Sequence, residues 1–242
     1  MRDKPLIDWN WVFANLDDIA SRTLQHLQLA LLAVAAGFVI AMVLGILTAR
    51  RRRAFAAVTA FTGILYTIPS IAAFAALVPI TGLSILTALI PLTAYTLLML
   101  VRNIVAGITS VVPDVIEAAD AMGYTPRERL LRIELPLAIP LVIAGLRVAT
   151  VSTIGLVTIA ATIGDRFGGL GVFINEGLSQ FFPTKVYVGA LMSVVLALAM
   201  DMLFVRIQRR LTPWDRTRAT ATPDTVEPDP TAPTPARSGA TA

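Results

Sequence analysis

Glu117-Ala118-Ala119-Asp120-Ala121-Met122-Gly123, followed by Ile133-Glu134-Leu135-Pro136, is the stretch on which the fold of this chain turns. It is charged and proline-marked, and the chain is apolar on either side of it. Pro113 suits a first helical position, and Asp114 and Glu117 put negative charge at the positive end of a helix dipole. Val115, Ile116, Ala119 and Met122 recur at helical spacing and predict one apolar stripe. Gly123 stands where such a helix would end in a left-handed conformation. Thr125-Pro126-Arg127-Glu128 reads as a capping box with proline at the first helical position. The second helix carries Arg127, Arg129 and Arg132, and Pro136 is expected to end it. Together these signals predict a hairpin of two short helices with an apolar stripe and a basic flank.

The surroundings of the hairpin are lipid-like. Of 242 residues, 56% are hydrophobic and only 15% charged. A soluble domain of this length carries about 25% charge. The mean hydropathy is +0.73. Five apolar runs are long enough to cross a bilayer as helices, at about 20 residues each. They cover about residues 27–49, 54–80, 83–101, 137–164 and 186–207. The second is long enough to tilt and is broken by Pro69, the third contains Pro91, and the fourth contains Pro140. An all-α, polytopic membrane protein with five transmembrane helices is the expected fold class. No cleavable signal is expected, because about 25 mixed-charge residues precede a first apolar run that can itself span.

Arginine placement sets the orientation. Arg50 to Arg53 follow the first run, and Arg102, Arg127, Arg129 and Arg132 lie between the third and fourth. Arg206, Arg209, Arg210, Arg216 and Arg218 follow or close the fifth. The opposite side has Arg2, Lys4, Arg22, Arg166 and Lys185. The richer side is therefore expected in the cytoplasm, with the N-terminus outside and the C-terminus inside. The net charge of +4 is explained by this pattern and not by nucleic-acid binding. Three parts are expected: an outer segment at 1–26 carrying Trp9, Trp11 and Phe13, a membrane domain at 27–211 with the hairpin at 110–136, and a disordered cytoplasmic tail at 212–242. That tail is rich in Thr, Ala, Pro and Asp and lacks apolar periodicity.

Glu-Ala-Ala, three residues, Gly, nine residues, Ile, one residue, Leu-Pro falls on Glu117, Ala118, Ala119, Gly123, Ile133, Leu135 and Pro136 without departure. This resembles the signature of permease subunits of binding-protein-dependent ABC importers. The resemblance extends over about residues 20–215. Within it, Thr67-Ile68-Pro69-Ser70, Arg102-Asn103, Ala144-Gly145-Leu146-Arg147, Gly168-Gly169-Leu170-Gly171 and Arg209-Arg210-Leu211-Thr212-Pro213-Trp214 look like the osmoprotectant branch, for glycine betaine, choline or carnitine. It implies a type I ABC importer permease fold, in which the hairpin is the coupling helix that seats in a cleft of the ATPase. It also implies a cytoplasmic ATPase dimer, a second permease subunit, identical or paralogous, and an outer binding protein that delivers the cargo. ATP and magnesium would sit on the ATPase, with no cofactor on this chain. Alternatives are a methionine-type or other small-solute importer, a secondary transporter or channel, and a membrane scaffold with no path.

Further residues matter for a path through the membrane. Arg147 lies about ten residues into the fourth run, and Asp201 about six residues from the cytoplasmic end of the fifth. Charges within a membrane span face protein or water and seek partners, so the two are expected to pair in the inner half of the bilayer. The pair would act either as an inner gate or as a structural tie. A quaternary ammonium cargo suits aromatic faces, which makes Tyr66, Phe74 and Tyr95 candidates. Pro69 and Ser70 are candidates for a local helix break that exposes carbonyls to a cavity. His26, the only histidine, is expected at the outer interface. There are no cysteines, so no thiol or zinc chemistry is available, and one histidine builds no catalytic triad or metal cluster. No Gly-x-x-x-x-Gly-Lys-Ser/Thr loop occurs, so this chain is not expected to hydrolyse ATP by itself.

Overall fold

The structure is a computed structural model that describes residues 6–164 and 167–213. Most of the predicted tail, and Arg2, Lys4 and Arg166, lie outside those residues. The described residues are all helix and turn. In chain order they form α1 (Trp9–Ala14), α2 (Leu16–Thr48), α3 (Arg52–Thr67), α4 (Ser70–Thr81) and α5 (Ile85–Thr109). The hairpin follows as α6 (Pro113–Ala121), α7 (Pro126–Arg129) and a π turn at Leu130–Glu134. Then come α8 (Leu135–Ala160), α9 (Gly171–Ser179) and α10 (Pro183–Leu211).

Four helical stretches are long and apolar enough to cross a membrane: α2, α5, the rod from Pro126 to Ala160, and α10. The pair α3–α4 makes a fifth crossing if its two halves act as one broken span. The expected tilted helix over 54–80 is replaced by two helices meeting at 90°. Pro69 is the reason. The residue before a proline is pushed out of the helical region, and Ile68 adopts extended angles while Pro69 heads α4.

Other boundaries differ from expectation as well, α5 for one running on to Thr109. The first span begins at Leu16, not near residue 27, because Asp17, Asp18 and Arg22 continue the helix, the last two as an i,i+4 ion pair. Helix α10 runs on to Leu211. Pro136 does not end a helix. The chain passes from α7 through the π turn into α8 without a break, and Leu135 N–H bonds back five residues to Leu130. Proline lacks an N–H and crowds the carbonyl four residues before it. A wider turn placed just ahead of Pro136 loosens that crowding.

The centre of the bundle is α5, packed between α2 and α8. Leu100, Val101 and Ile104 of α5 are fully buried against Ala41 of α2 and Ala138 of α8. Between membrane helices, close approach depends on small residues. A Cβ on Gly145 of α8 would lie 2.6 Å from that of Asn103 on α5. Helix α10 packs on α8 and α9. At the end of the bundle away from the hairpin α1 folds back, Trp11 meeting Phe173 and Phe182 edge to face while Asp8 N–H donates to Thr184 Oγ1 at 2.9 Å.

His26 is wholly buried, not interfacial. Leu170 N–H donates to its Nδ1 at 3.2 Å, which puts the ring proton on Nε2, facing Ile154 O at 2.9 Å. Imidazole is a small ring with one donor and one acceptor, so it serves as a buried tie between α2, α8 and the loop before α9.

Candidate functional site

The hairpin ends are built by local chemistry. Asp114 stands in the first turn of α6 and Pro113 at its start. Gly123 has φ +82°. Its N–H bonds to Asp120 O at 3.0 Å, and Tyr124 N–H bonds to Ala119 O at 3.2 Å. This is the Schellman closure, and it suits glycine because any Cβ strains a left-handed residue. Thr125 Oγ1 accepts from Glu128 N–H, and Glu128 Oε2 accepts from Thr125 N–H at 3.0 Å. Those hydrogen bonds favour the ionised carboxylate, so Glu128 stays below the usual carboxylate range, first through the backbone N–H of Thr125 and then through its hydroxyl.

The signature residues divide by exposure. Glu117, Ala118 and Gly123 are exposed, and no atom lies within 4 Å of where a Cβ on Gly123 would stand. Ala119 is fully buried, while Ile133, Leu135 and Pro136 are half-buried. The apolar stripe expected along α6 splits. Val115 and Ile116 pack partly inward, but Met122, at the C-terminal end of α6, is 68% exposed. The hairpin tip thus presents a small glycine, an acid and an open methionine.

The base of the hairpin holds a charge network that sequence spacing alone did not reveal. Glu134 is 1% exposed and pairs with Arg129 at 3.0 Å and with Arg50. Arg129 also pairs with Asp120 of α6. The expected basic flank is corrected here: Arg129 is buried and turned into the hairpin, because two carboxylates compensate its charge. Arg50 follows the end of α2, so the network joins that end to both arms of the hairpin. The four arginines after the first apolar run, and the Ile133-Glu134-Leu135-Pro136 segment itself, were the available signals. Nothing in their spacing said that they meet.

In the membrane domain, two cavities lie along one face of α8. One, of about 650 Å³, is lined by Arg147, Val148, Val151, Ser152, Leu198 and Asp201, among others. Arg147 Nε donates to Asp201 Oδ1 at 2.8 Å and Nη2 donates to Oδ2 at 3.0 Å, a two-pronged pair between α8 and α10. Because α10 extends to Leu211, Asp201 is about 15 Å from its end. Arg147 stands midway along α8, and Asp201 lies nearer the C-terminal end of α10 than its start.

The second cavity, of about 340 Å³, includes Tyr66, Ser70, Tyr95, Ser152 and Gly155 in its lining. Tyr66 and Tyr95 meet edge to face with ring centres 5.9 Å apart. Tyr95 Oη donates to Ile68 O at 2.7 Å, using a carbonyl freed by the Pro69 break. Pro69 itself is exposed. Phe74 does not join this cavity. It is fully buried beside Leu29, Ala88 and Ile154, the one residue of α4 that reaches the core after the 90° bend. Among the described residues no group of His, Cys, Asp and Glu could hold a metal ion.

Comparison with known proteins adds to this geometry. Residues 27–213 match the family model described as binding-protein-dependent transport system inner membrane component. The glycine betaine/carnitine/choline transport system permease protein OpuCB of Bacillus subtilis is 34% identical over 199 residues, 82% of this chain and 91% of that protein. The osmoprotectant import permease protein OsmW of Salmonella typhimurium is 37% identical over 209 residues, covering 84% and 96%. Among solved structures, the MetNI methionine ABC transporter in inward-facing form superposes with a TM-score of 0.72 at 23% identity, over 80% of this chain and 96% of that one. That last likeness concerns the fold alone.

Proposed function

We propose, from the premise that this chain belongs to the binding-protein-dependent transport system inner membrane component family, that its cargo is a quaternary-ammonium osmoprotectant. The chain is a multi-pass transmembrane permease subunit of an ABC importer, not the ATPase of such a system. One observation carries the cargo reading. Relatives whose names specify glycine betaine, carnitine, choline or osmoprotectant import align with this chain over nine-tenths or more of their length. The aromatic cavity supports it: Tyr66 and Tyr95 supply π faces for a cation that has no N–H to donate. Tyr66, Pro69, Ser70 and Tyr95 are accordingly assigned to the path, Pro69 as the break and the other three as lining.

The partners follow the same reading. A cytoplasmic ATPase dimer engages Glu117, Ala118 and Gly123, the exposed residues of the hairpin tip. Ala119, Ile133, Leu135 and Pro136 hold that tip in shape from behind. A second permease, identical or paralogous, stands across the groove between α8 and α10, so that the cavity lined by Val148, Val194 and Leu198 lies between the two subunits and stays open to cargo. A binding protein delivers cargo at the outer side. The hairpin is cytoplasmic and the N-terminus outside. The Arg50–Glu134 pair supports this placement, because it puts the arginine-rich end of α2 on the same side as the hairpin.

The test is co-purification with transport. Expressed with its neighbouring genes, the permease should isolate with a stoichiometric ATPase and take up labelled glycine betaine only with ATP. Uptake that persists with the ATPase deleted would show a secondary transporter instead.

A further inference from the structure

The Arg147–Asp201 pair has features beyond those a packing tie needs. Each side chain keeps about a third of its surface open, 32% and 34%, towards the larger cavity. Each also has unused bonding capacity. A guanidinium carries five N–H donors and this one spends two on Asp201. A carboxylate offers about four acceptor positions and spends two. The rest of the lining is apolar apart from Ser152. The pair is neutral overall, so it exerts little pull on a lone cation or a lone anion. It is a strong local dipole, and its natural complement is a second dipole laid antiparallel.

The cavity is also placed for traffic. Ser152 lines both cavities, so the aromatic one and the ion-pair one meet there. Gly155, in the aromatic cavity, is about 12 Å along α8 from Arg147. That separation makes two successive stations for a small solute, not one site.

We propose that Arg147 and Asp201 form a docking station for a zwitterionic cargo, the guanidinium receiving its carboxylate and the Asp201 carboxylate facing its quaternary ammonium. The ion pair stays closed while the cargo lies alongside: the free N–H groups donate to its carboxylate, and the Asp201 carboxylate attracts its ammonium by charge alone. A cargo with a cation and no anion gains at Asp201 what it loses at Arg147. The station therefore favours zwitterions over simple cations that the aromatic pair treats alike. This inference rests on the osmoprotectant reading above.

Glycine betaine and choline test it, since both carry a trimethylammonium group and only the first carries a carboxylate. Uptake of each is measured in cells whose only route is the complete system of permease, ATPase and binding protein. The double variant Arg147→Met with Asp201→Leu removes both charges at similar volume, and recovery of the ATPase with it reports assembly. Arg147→Lys is the second variant, keeping the charge but losing the planar fork. The double variant should lower glycine betaine uptake at least tenfold and choline uptake less than threefold, and Arg147→Lys should lower only glycine betaine, about fivefold. Equal loss of both compounds in assembled variants would make the pair a gate or a tie and overturn the station. Unchanged glycine betaine uptake would overturn it too. If the wild-type system takes up neither compound, the osmoprotectant reading itself fails, and the station with it.

Discussion

Glu134 lies buried five residues after Arg129 and bonds to its Nε at 3.0 Å, while Arg50 reaches the same carboxylate oxygen from the end of α2. Glu134 thus bridges two arginines from distant parts of the chain, and Asp120 supplies the second negative charge through Arg129. Breaking a buried pair leaves uncompensated charge, which costs far more than the pair itself contributes.

Glu134→Gln should therefore lower the thermal midpoint of the purified permease by roughly 5 °C or more. Arg50→Gln should cost less, since Arg50 is half exposed and Glu134 keeps its other partner. A fluorescence-based melting curve in detergent decides this, and equal small shifts for both would mean that the network contributes nothing.

Gly123→Val places a β-branched residue at φ +82°, a strain of about 1–2 kcal/mol confined to the hairpin tip. The expected outcome is a permease that inserts and folds but no longer couples ATP hydrolysis to uptake. Gly123→Asn should retain more coupling, because asparagine tolerates the left-handed region. Measuring ATPase stimulation and uptake in the same vesicles separates the two. Normal transport by the valine variant would count against the coupling role.

Tyr66→Leu removes one aromatic face from the smaller cavity. A cation–π contact corresponds to about 0.5 kcal/mol when exposed and about 2 kcal/mol when desolvated, so KM for quaternary-ammonium uptake should rise roughly two- to thirtyfold. Tyr66→Phe keeps the face and should stay near wild type. If both variants behave alike, Tyr66 is a packing residue.

His26→Leu leaves the Leu170 N–H without its acceptor, at about 1–3 kcal/mol, and takes a second bond from the Ile154 carbonyl, which lies inside α8. His26→Gln, with a donor and an acceptor of its own, should recover part of the loss. The readout is again thermal stability, with the ATPase partner absent so that coupling plays no role.

What could be read from the sequence was local. The capping box at Thr125 and Glu128 and the left-handed stop at Gly123 depend on residues within one turn, and the structure has both. The break at Pro69 belongs to the same class, although its 90° angle is set by how α4 packs. Contacts between distant segments were harder to see. Arg50 and Glu134 are 84 positions apart, and no periodicity links them. Phe74 looked like a path residue on chemistry alone, but the bend that follows from Pro69 buries it in the core. His26 looked interfacial from its distance to the apolar run, yet it faces Ile154, 128 positions away. Such partners belong to the tertiary arrangement.

The unbroken rod from Pro126 to Ala160 has a mechanical corollary. Its length is about 50 Å, so a 5° swing about the hairpin end displaces the Ala160 end by about 4 Å. A rotation of a few degrees at the handle is thus magnified into a shift the size of a side chain at the far side of the bundle.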